Sequence, residues 1–103
     1  MADFVKVAVT SDIPTGQLRS FRVGHTDIVV CNTDDGFHAL ADECSHDSAP
    51  ISDGDLDGND IVCPRHGATF DIHSGAVTGP PAVIGIDKYE LKIEGEDILV
   101  KID

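Results

Sequence analysis

Two short stretches hold the residues whose types and spacing could do chemistry. A Cys-x-His pattern places Cys44 beside His46, and a Cys-x-x-His pattern places Cys63 beside His66. Sixteen residues separate the two patterns. Each pattern offers one thiolate and one imidazole, which are ligands for transition metals. The sequence therefore predicts one metal centre held by these four side chains.

Two kinds of centre use two cysteines and two histidines: a tetrahedral zinc site, and a two-iron cluster with cysteines on one iron and histidines on the other. Zinc fingers usually pair like ligands along the chain, whereas each pattern here is mixed. With one residue between them in an extended loop, Cys44 and His46 point to the same side, and their tips reach two neighbouring metals more easily than one. The mixed order favours the two-iron centre, and a zinc-stabilised binding module is the weaker alternative.

Composition narrows the class of protein. A chain of 103 residues is one domain. The net charge is −12, from 19 acidic and 7 basic residues, which makes nucleic acid and anionic membranes poor partners and a basic protein surface a good one. The N-terminal residues lack an apolar run of signal-peptide length, and no stretch has the length of a transmembrane helix. We expect a cytoplasmic protein.

Cysteine use agrees with a reducing compartment. Three cysteines in such a compartment are not a disulfide framework. Two of the three lie in the ligand patterns. Cys31 ends an apolar run, and we expect it to be a small buried residue of a strand.

The rest of the chain predicts a scaffold of short antiparallel strands, because glycine and proline punctuate short alternating apolar segments. Strands are expected over 4–9, 18–23, 27–32, 37–41, from Ile84 through 93, and over 98–102. From about 43 to 82, between the fourth and fifth of these strands, glycine, proline, aspartate and serine dominate the composition. We predict an all-β single domain, 1–103, with a base sheet at about 1–42 and 83–103 and a smaller lobe at about 43–82.

The ligand pattern as a whole resembles that of Rieske [2Fe–2S] proteins, and the resemblance covers the whole chain. It implies an antiparallel β sandwich with a smaller, loop-rich cluster-binding lobe and a covering proline loop at 79–81. It also implies one [2Fe–2S] cluster, with Cys44 and Cys63 on the inner iron and His46 and His66 on the outer iron.

Departures from the high-potential members of that family are informative. Their two additional cysteines, which form a disulfide, are replaced here by Ala49 and Arg65. The serine and tyrosine that donate hydrogen bonds to cluster and cysteine sulfur are replaced by Ala68 and Phe70. Such hydrogen bonds stabilise the reduced form. Their absence predicts a low reduction potential, roughly −150 mV.

The low-potential, single-domain form is similar to Rieske ferredoxins of bacterial ring-hydroxylating oxygenase systems. That similarity implies a monomeric one-electron carrier between a flavoprotein ferredoxin reductase and a terminal aromatic-ring-hydroxylating oxygenase, in aromatic hydrocarbon catabolism. The small subunit of assimilatory nitrite reductase is the alternative. The chain is not expected to be an enzyme alone, since it shows no recognisable mononuclear iron site of two histidines and a carboxylate.

The other acidic and histidine residues are expected to have structural or surface roles. The aspartate-rich stretch 53–58 predicts an acidic turn and not a calcium loop, because the twelfth position is Pro64 instead of glutamate. His25, His38 and His73 are expected to be isolated structural or surface histidines.

Overall fold

The computed structural model describes residues 4–43, 50–64, 67–80 and 84–102. Within these ranges the regular structure is strand, apart from two 3₁₀ turns at Thr10–Asp12 and Ile51–Asp53, so the all-β prediction is confirmed. The strands are β1 Phe4–Val9, β2 Leu18–Val23, β3 Thr26–Thr33, β4 Gly36–Ala41, β5 Asp55–Asp57, β6 Asp60–Val62, β7 Thr69–Asp71, β8 Val77–Gly79, β9 Lys88–Glu94 and β10 Asp97–Lys101. No helix in the described part of the chain is long and apolar enough to cross a membrane.

The strands form two antiparallel sheets. The larger sheet has the order β1-β10-β9-β4-β3-β2, and the smaller has the order β5-β6-β7-β8. β1 also contacts β2, so the two ends of the large sheet approach each other and the sheet curls towards a barrel. The small sheet is inserted between β4 and β9 in the chain and contains the second ligand pattern.

Strand β3 is buried on both of its faces. Ile28 and Val30 are fully buried in the core enclosed by the curled sheet. Val29 and Cys31 are fully buried in a second core, which the large sheet shares with the small one. Because side chains of a strand alternate between faces, one short run supplies both cores.

Cys31 is the small buried strand residue that its sequence context predicts. Burial, reinforced by the charge of Asp42, raises the pKa of the Cys31 thiol to about 12. The thiol is therefore neutral and acts as a packing group.

Two predicted details of the scaffold are wrong. The strand expected from Ile84 begins only at Lys88, because the preceding residues dock on the small sheet: the Ile86 amide donates to the Gly75 carbonyl at 2.8 Å. The acidic stretch at 53–58 is not a simple turn either. Asp55–Asp57 form β5, which pairs with β6, and the turn itself lies at Gly58 and Asn59.

Gly75 marks where the small sheet meets the segment before β9. Its φ is +79°, and a Cβ built there would lie 2.0 Å from the Ile86 carbonyl oxygen. We expect Gly75→Ala to lower the free energy of unfolding by more than the roughly 1–2 kcal/mol of a left-handed alanine, because the backbone must also move apart. Thermal unfolding measures the loss.

Gly95→Ala is the matched control. Gly95 also has a positive φ, +62°, but its Cβ would meet nothing within 4 Å. Equal destabilisation by the two substitutions would contradict the role assigned to the Gly75 contact.

Candidate metal centre

The second ligand pattern begins where strand β6 ends. Cys63 directly follows that strand and is 1% exposed. Its amide donates to the Ala68 carbonyl at 2.7 Å, and its carbonyl accepts from the Gly67 amide at 3.1 Å. These two bonds hold Gly67 and Ala68 against Cys63, and Gly67, at φ +78°, has the left-handed conformation that glycine adopts without steric cost. Arg65 and His66 are outside the described residues.

The Cys63 side chain lies in the core shared by the two sheets. Its buried neighbours in that core include Ile61, Ala68, Phe70 and Ile72. A thiolate in such apolar surroundings needs a compensating charge, and bound iron supplies one. The donor type and burial of Cys63 therefore fit an inner, cysteine-ligated iron.

The first ligand pattern, at 44–46, falls in the range 44–49, so Cys44, His46 and also Ala49 are outside the described residues. Both ends of this stretch are described. The carboxylate of Asp42, which is 9% exposed, accepts hydrogen bonds from the Ser52 amide and hydroxyl, both at 2.7 Å. The Asp42 amide in turn donates to the Asp27 carbonyl of β3 at 3.0 Å. One buried carboxylate thus ties the two ends of the loop together and fixes them to the large sheet.

The two positions that lack hydroxyl donors are part of the same core. Ala68 and Phe70 are both fully buried and share the core with Cys63. The two residues that predict a low potential therefore belong to the same core as a predicted ligand.

Sequence reasoning missed a second group of potential ligands. His38 and His73 are not isolated: their ring centroids lie 4.7 Å apart, and both rings contact the carboxylate of Asp35. His38 Nε2 lies 3.2 Å from Asp35 Oδ1, and His73 Nε2 contacts Asp35 Oδ2. The fold thus brings together two histidines and a carboxylate that the sequence did not reveal.

Hydrogen bonds among these three residues shift the pKa values of Asp35 and His73. The pKa of the Asp35 carboxyl lies well below its usual range, through hydrogen bonds from Thr33 and then from His73 and His38. The pKa of His73 is raised, first by its hydrogen bond to Asp35 and then by that to Asp71. In the sequence, only the spacing of three residues between Asp35 and His38 could have indicated this group. His73 is 38 residues from Asp35, so no local pattern connects it to them.

Comparison with known proteins agrees with this architecture. Residues 3–90 match the family model of the Rieske [2Fe-2S] domain. The ferredoxin component of biphenyl 2,3-dioxygenase from Rhodococcus jostii is 32% identical over 95% of this chain and 92% of its own. The ferredoxin of carbazole 1,9a-dioxygenase from Nocardioides aromaticivorans is 30% identical, with a TM-score of 0.90 over 94% of this chain and 95% of its own.

A solved complex of oxygenase and ferredoxin in carbazole 1,9a-dioxygenase contains a further similar chain. That chain is 33% identical, with a TM-score of 0.88 over 94% of this chain and 91% of its own. The protein described here belongs to the Rieske [2Fe–2S] family. The expected Rieske fold, the single [2Fe–2S] cluster and the role of an electron-carrying ferredoxin, as opposed to a catalyst, are confirmed.

The hydrogen bonds from Ser52 to the Asp42 carboxylate are predicted to stabilise the first ligand loop. We expect Asp42→Ala to cost about 1.5–3 kcal/mol of stability, the usual value of a hydrogen bond to a charged group, because it leaves the Ser52 donors without their acceptor. The variant should also lose iron faster during dialysis. Iron per chain and the thermal midpoint measure both effects.

Asp53→Ala is the control, since Asp53 is an exposed aspartate next to the same serine. If the two variants retain iron and unfold alike, the Asp42 carboxylate does not secure the loop.

Proposed function

We propose that this protein is a monomeric, cytoplasmic one-electron carrier that takes electrons from a flavoprotein ferredoxin reductase and delivers them to a terminal aromatic-ring-hydroxylating oxygenase. The observation that carries the proposal is the near-complete mutual coverage with ferredoxin components of dioxygenase systems. The solved oxygenase–ferredoxin complex of a similar chain supports the oxygenase as one partner. The reductase is the partner implied by the resemblance.

In this proposal Cys44 and Cys63 hold the inner iron, and His46 and His66 hold the outer iron. The burial of Cys63 at the end of β6 supports the inner position. The ligands belong to a lobe at about 43–82, seated on a base formed by about 1–42 and 83–103. When bound, the cluster gains and loses a single electron.

The chain holds the two ligand stretches in place by fixing their ends. The Cys63–Ala68 hydrogen bond closes the second stretch at 2.7 Å, and the Asp42–Ser52 bonds close the first. Fixed ends limit how far the ligands move when the charge of the centre changes. A carrier that must exchange electrons quickly benefits from that restraint.

The tip of the second loop supports docking at the histidines. Pro64 and Gly67, which flank Arg65 and His66, are exposed, whereas Cys63 is buried. The exposure of these two flanking residues supports docking of a partner near His66, which in this proposal holds the outer iron.

Surface charge supports a basic docking surface on the partners. The net charge is −12, and Asp53, Asp55 and Asp57 are exposed on and before β5, at the edge of the small sheet. Opposite fields accelerate encounter, and salt screens them over about 10 Å at 0.1 M. Electron transfer to a correct partner should therefore slow as salt is added.

The function is tested by stopped-flow spectroscopy of the purified holoprotein. We expect a flavoprotein ferredoxin reductase to bleach its visible spectrum, and an aromatic-ring-hydroxylating oxygenase to restore it with a rate that falls as salt rises. Failure to reoxidise with such oxygenases, together with stable association with the large subunit of assimilatory nitrite reductase, would favour the alternative role.

A second test concerns the reduction potential. We expect a midpoint of roughly −150 mV, near the low end of the Rieske range. Phe70→Tyr should raise it by about 20–60 mV, because a net hydrogen bond of about 0.5–1.5 kcal/mol to sulfur corresponds to that shift at 59 mV per tenfold change for one electron. Spectroelectrochemical titration gives both values.

Phe21→Tyr is the control, because Phe21 packs on the other core, which does not contain Cys63. A clearly positive midpoint in the parent would contradict the low-potential assignment. Equal midpoints in the two tyrosine variants would show that a hydroxyl at position 70 does not donate a hydrogen bond to the sulfur of the centre.

A further inference from the structure

We propose that Asp35, His38 and His73 form a second, separate metal site, for a divalent ion of the zinc type. One ligand atom from each residue lies within 4.8 Å of the other two. With zinc–nitrogen bonds of about 2.0–2.1 Å, neighbouring ligands of a tetrahedral zinc site lie about 3.3 Å apart, a spacing within the 4.8 Å that bounds this group. His38 Nε2 and Asp35 Oδ1 are 3.2 Å apart.

The surroundings of His73 are those of a metal ligand. Its Nε2 faces Asp35, while its Nδ1 lies 3.4 Å from Asp71 Oδ1. Histidine ligands almost always donate their second ring nitrogen to a carboxylate or carbonyl, which fixes the tautomer and raises the basicity of the ligating nitrogen. Asp71 is further held by the Ser74 hydroxyl at 3.0 Å. This carboxylate is independent of the three ligands and favours metal at Nε2.

Asp35 is also prepared for ligation. Its Oδ1 accepts a hydrogen bond from the Thr33 hydroxyl, so the carboxylate is oriented by its own hairpin turn. Two neutral imidazoles and one carboxylate leave the fourth position of a zinc ion for water. The side chains of Asp35 and His73 are 52% and 39% exposed, so an ion can enter from solvent.

Lys88 is the group that opposes metal binding. Its ammonium lies 3.4 Å from His38 Nδ1, although its hydrogen bond to the His73 carbonyl, at 2.5 Å, holds it at the edge of the site. A proton is the other competitor, because the same carboxylates favour the imidazolium form of His73. Binding should therefore be measured at about pH 8, above the ordinary histidine pKa.

The site would join the two parts of the molecule. Asp35 and His38 belong to the β3–β4 turn and to β4, whereas His73 lies in the turn between β7 and β8. An ion there would cross-link the large sheet to the small one, which carries Cys63. We therefore expect zinc to raise the thermal midpoint of the holoprotein.

The experiment uses iron-loaded protein with its iron content and visible spectrum recorded before and after zinc chloride is added. Isothermal titration calorimetry should show one zinc per chain with the cluster spectrum unchanged. His38→Gln and His73→Gln should each weaken binding at least tenfold, and His25→Gln, at an exposed turn histidine outside the group, should bind as the parent does. Retained iron and visible absorption show that each variant is folded.

A conservative pair tests the role of Asp71. Asp71→Asn should weaken zinc binding by about 10–100-fold while leaving all three ligands in place, whereas Asp53→Asn, with the same change of net charge, should leave it unchanged. The proposal is overturned if the parent binds no zinc at millimolar concentration, or if the two glutamine variants bind as the parent does. Because the parent must already carry iron, neither result depends on which partners the ferredoxin serves.

Discussion

The apolar core shared by the two sheets is the constraint on which the rest of the structure depends. It joins Val29, Cys31 and Leu40 of the large sheet to Phe70 of the small one and to Cys63, which directly follows β6. Each fully buried large apolar side chain contributes roughly 1.5–3 kcal/mol. The surface ion pairs, such as Lys6–Asp97 with both side chains about half exposed, contribute about 0–1 kcal/mol each. The small sheet is therefore held on the base mainly by this core.

That arrangement explains how a predicted ligand in a loop is positioned firmly. Loops on their own are mobile, but here Cys63 is both a loop residue and a member of the core. The neighbouring loop residues Pro64 and Gly67 are exposed. The same short segment thus passes from the packed interior to the surface within one residue. An electron carrier needs both a packed interior and an accessible surface at its centre, because the centre must be shielded from solvent and also lie close to a docked partner.

Much of the fold was predictable because strand periodicity is local. The strands predicted at Phe4–Val9 and Leu18–Val23 have the same first and last residues in the structure. The strand expected from Ile84 failed because an apolar residue on a strand-like pattern, Ile86, is used instead to dock the chain against Gly75. Strand β5 was missed because aspartates are poor strand formers, and only an edge position beside β6 accommodates them.

The candidate sites divide in the same way. The spacing of Cys44, His46, Cys63 and His66 is a property of the sequence, so the ligand set could be proposed from it, and it stays a prediction for all four residues. Cys63 is the one of the four that lies within the described residues. The contact between His73 and Asp35 spans 38 residues and exists only because the β7–β8 turn packs against the β3–β4 turn. No local pattern records such packing, so histidines that look isolated in the sequence meet in the structure.

The β6–β7 hairpin links these two regions by a short ladder. At one end Val62 pairs with Thr69, next to the loop that Cys63 begins; at the other end Asp60 pairs with Asp71, next to His73. The first end is fixed by apolar burial, which responds little to pH or ions. The second is fixed by charged and titratable groups, which respond to both. Changes in solution conditions therefore act on the small sheet at the end away from Cys63, while the core keeps that predicted ligand in place.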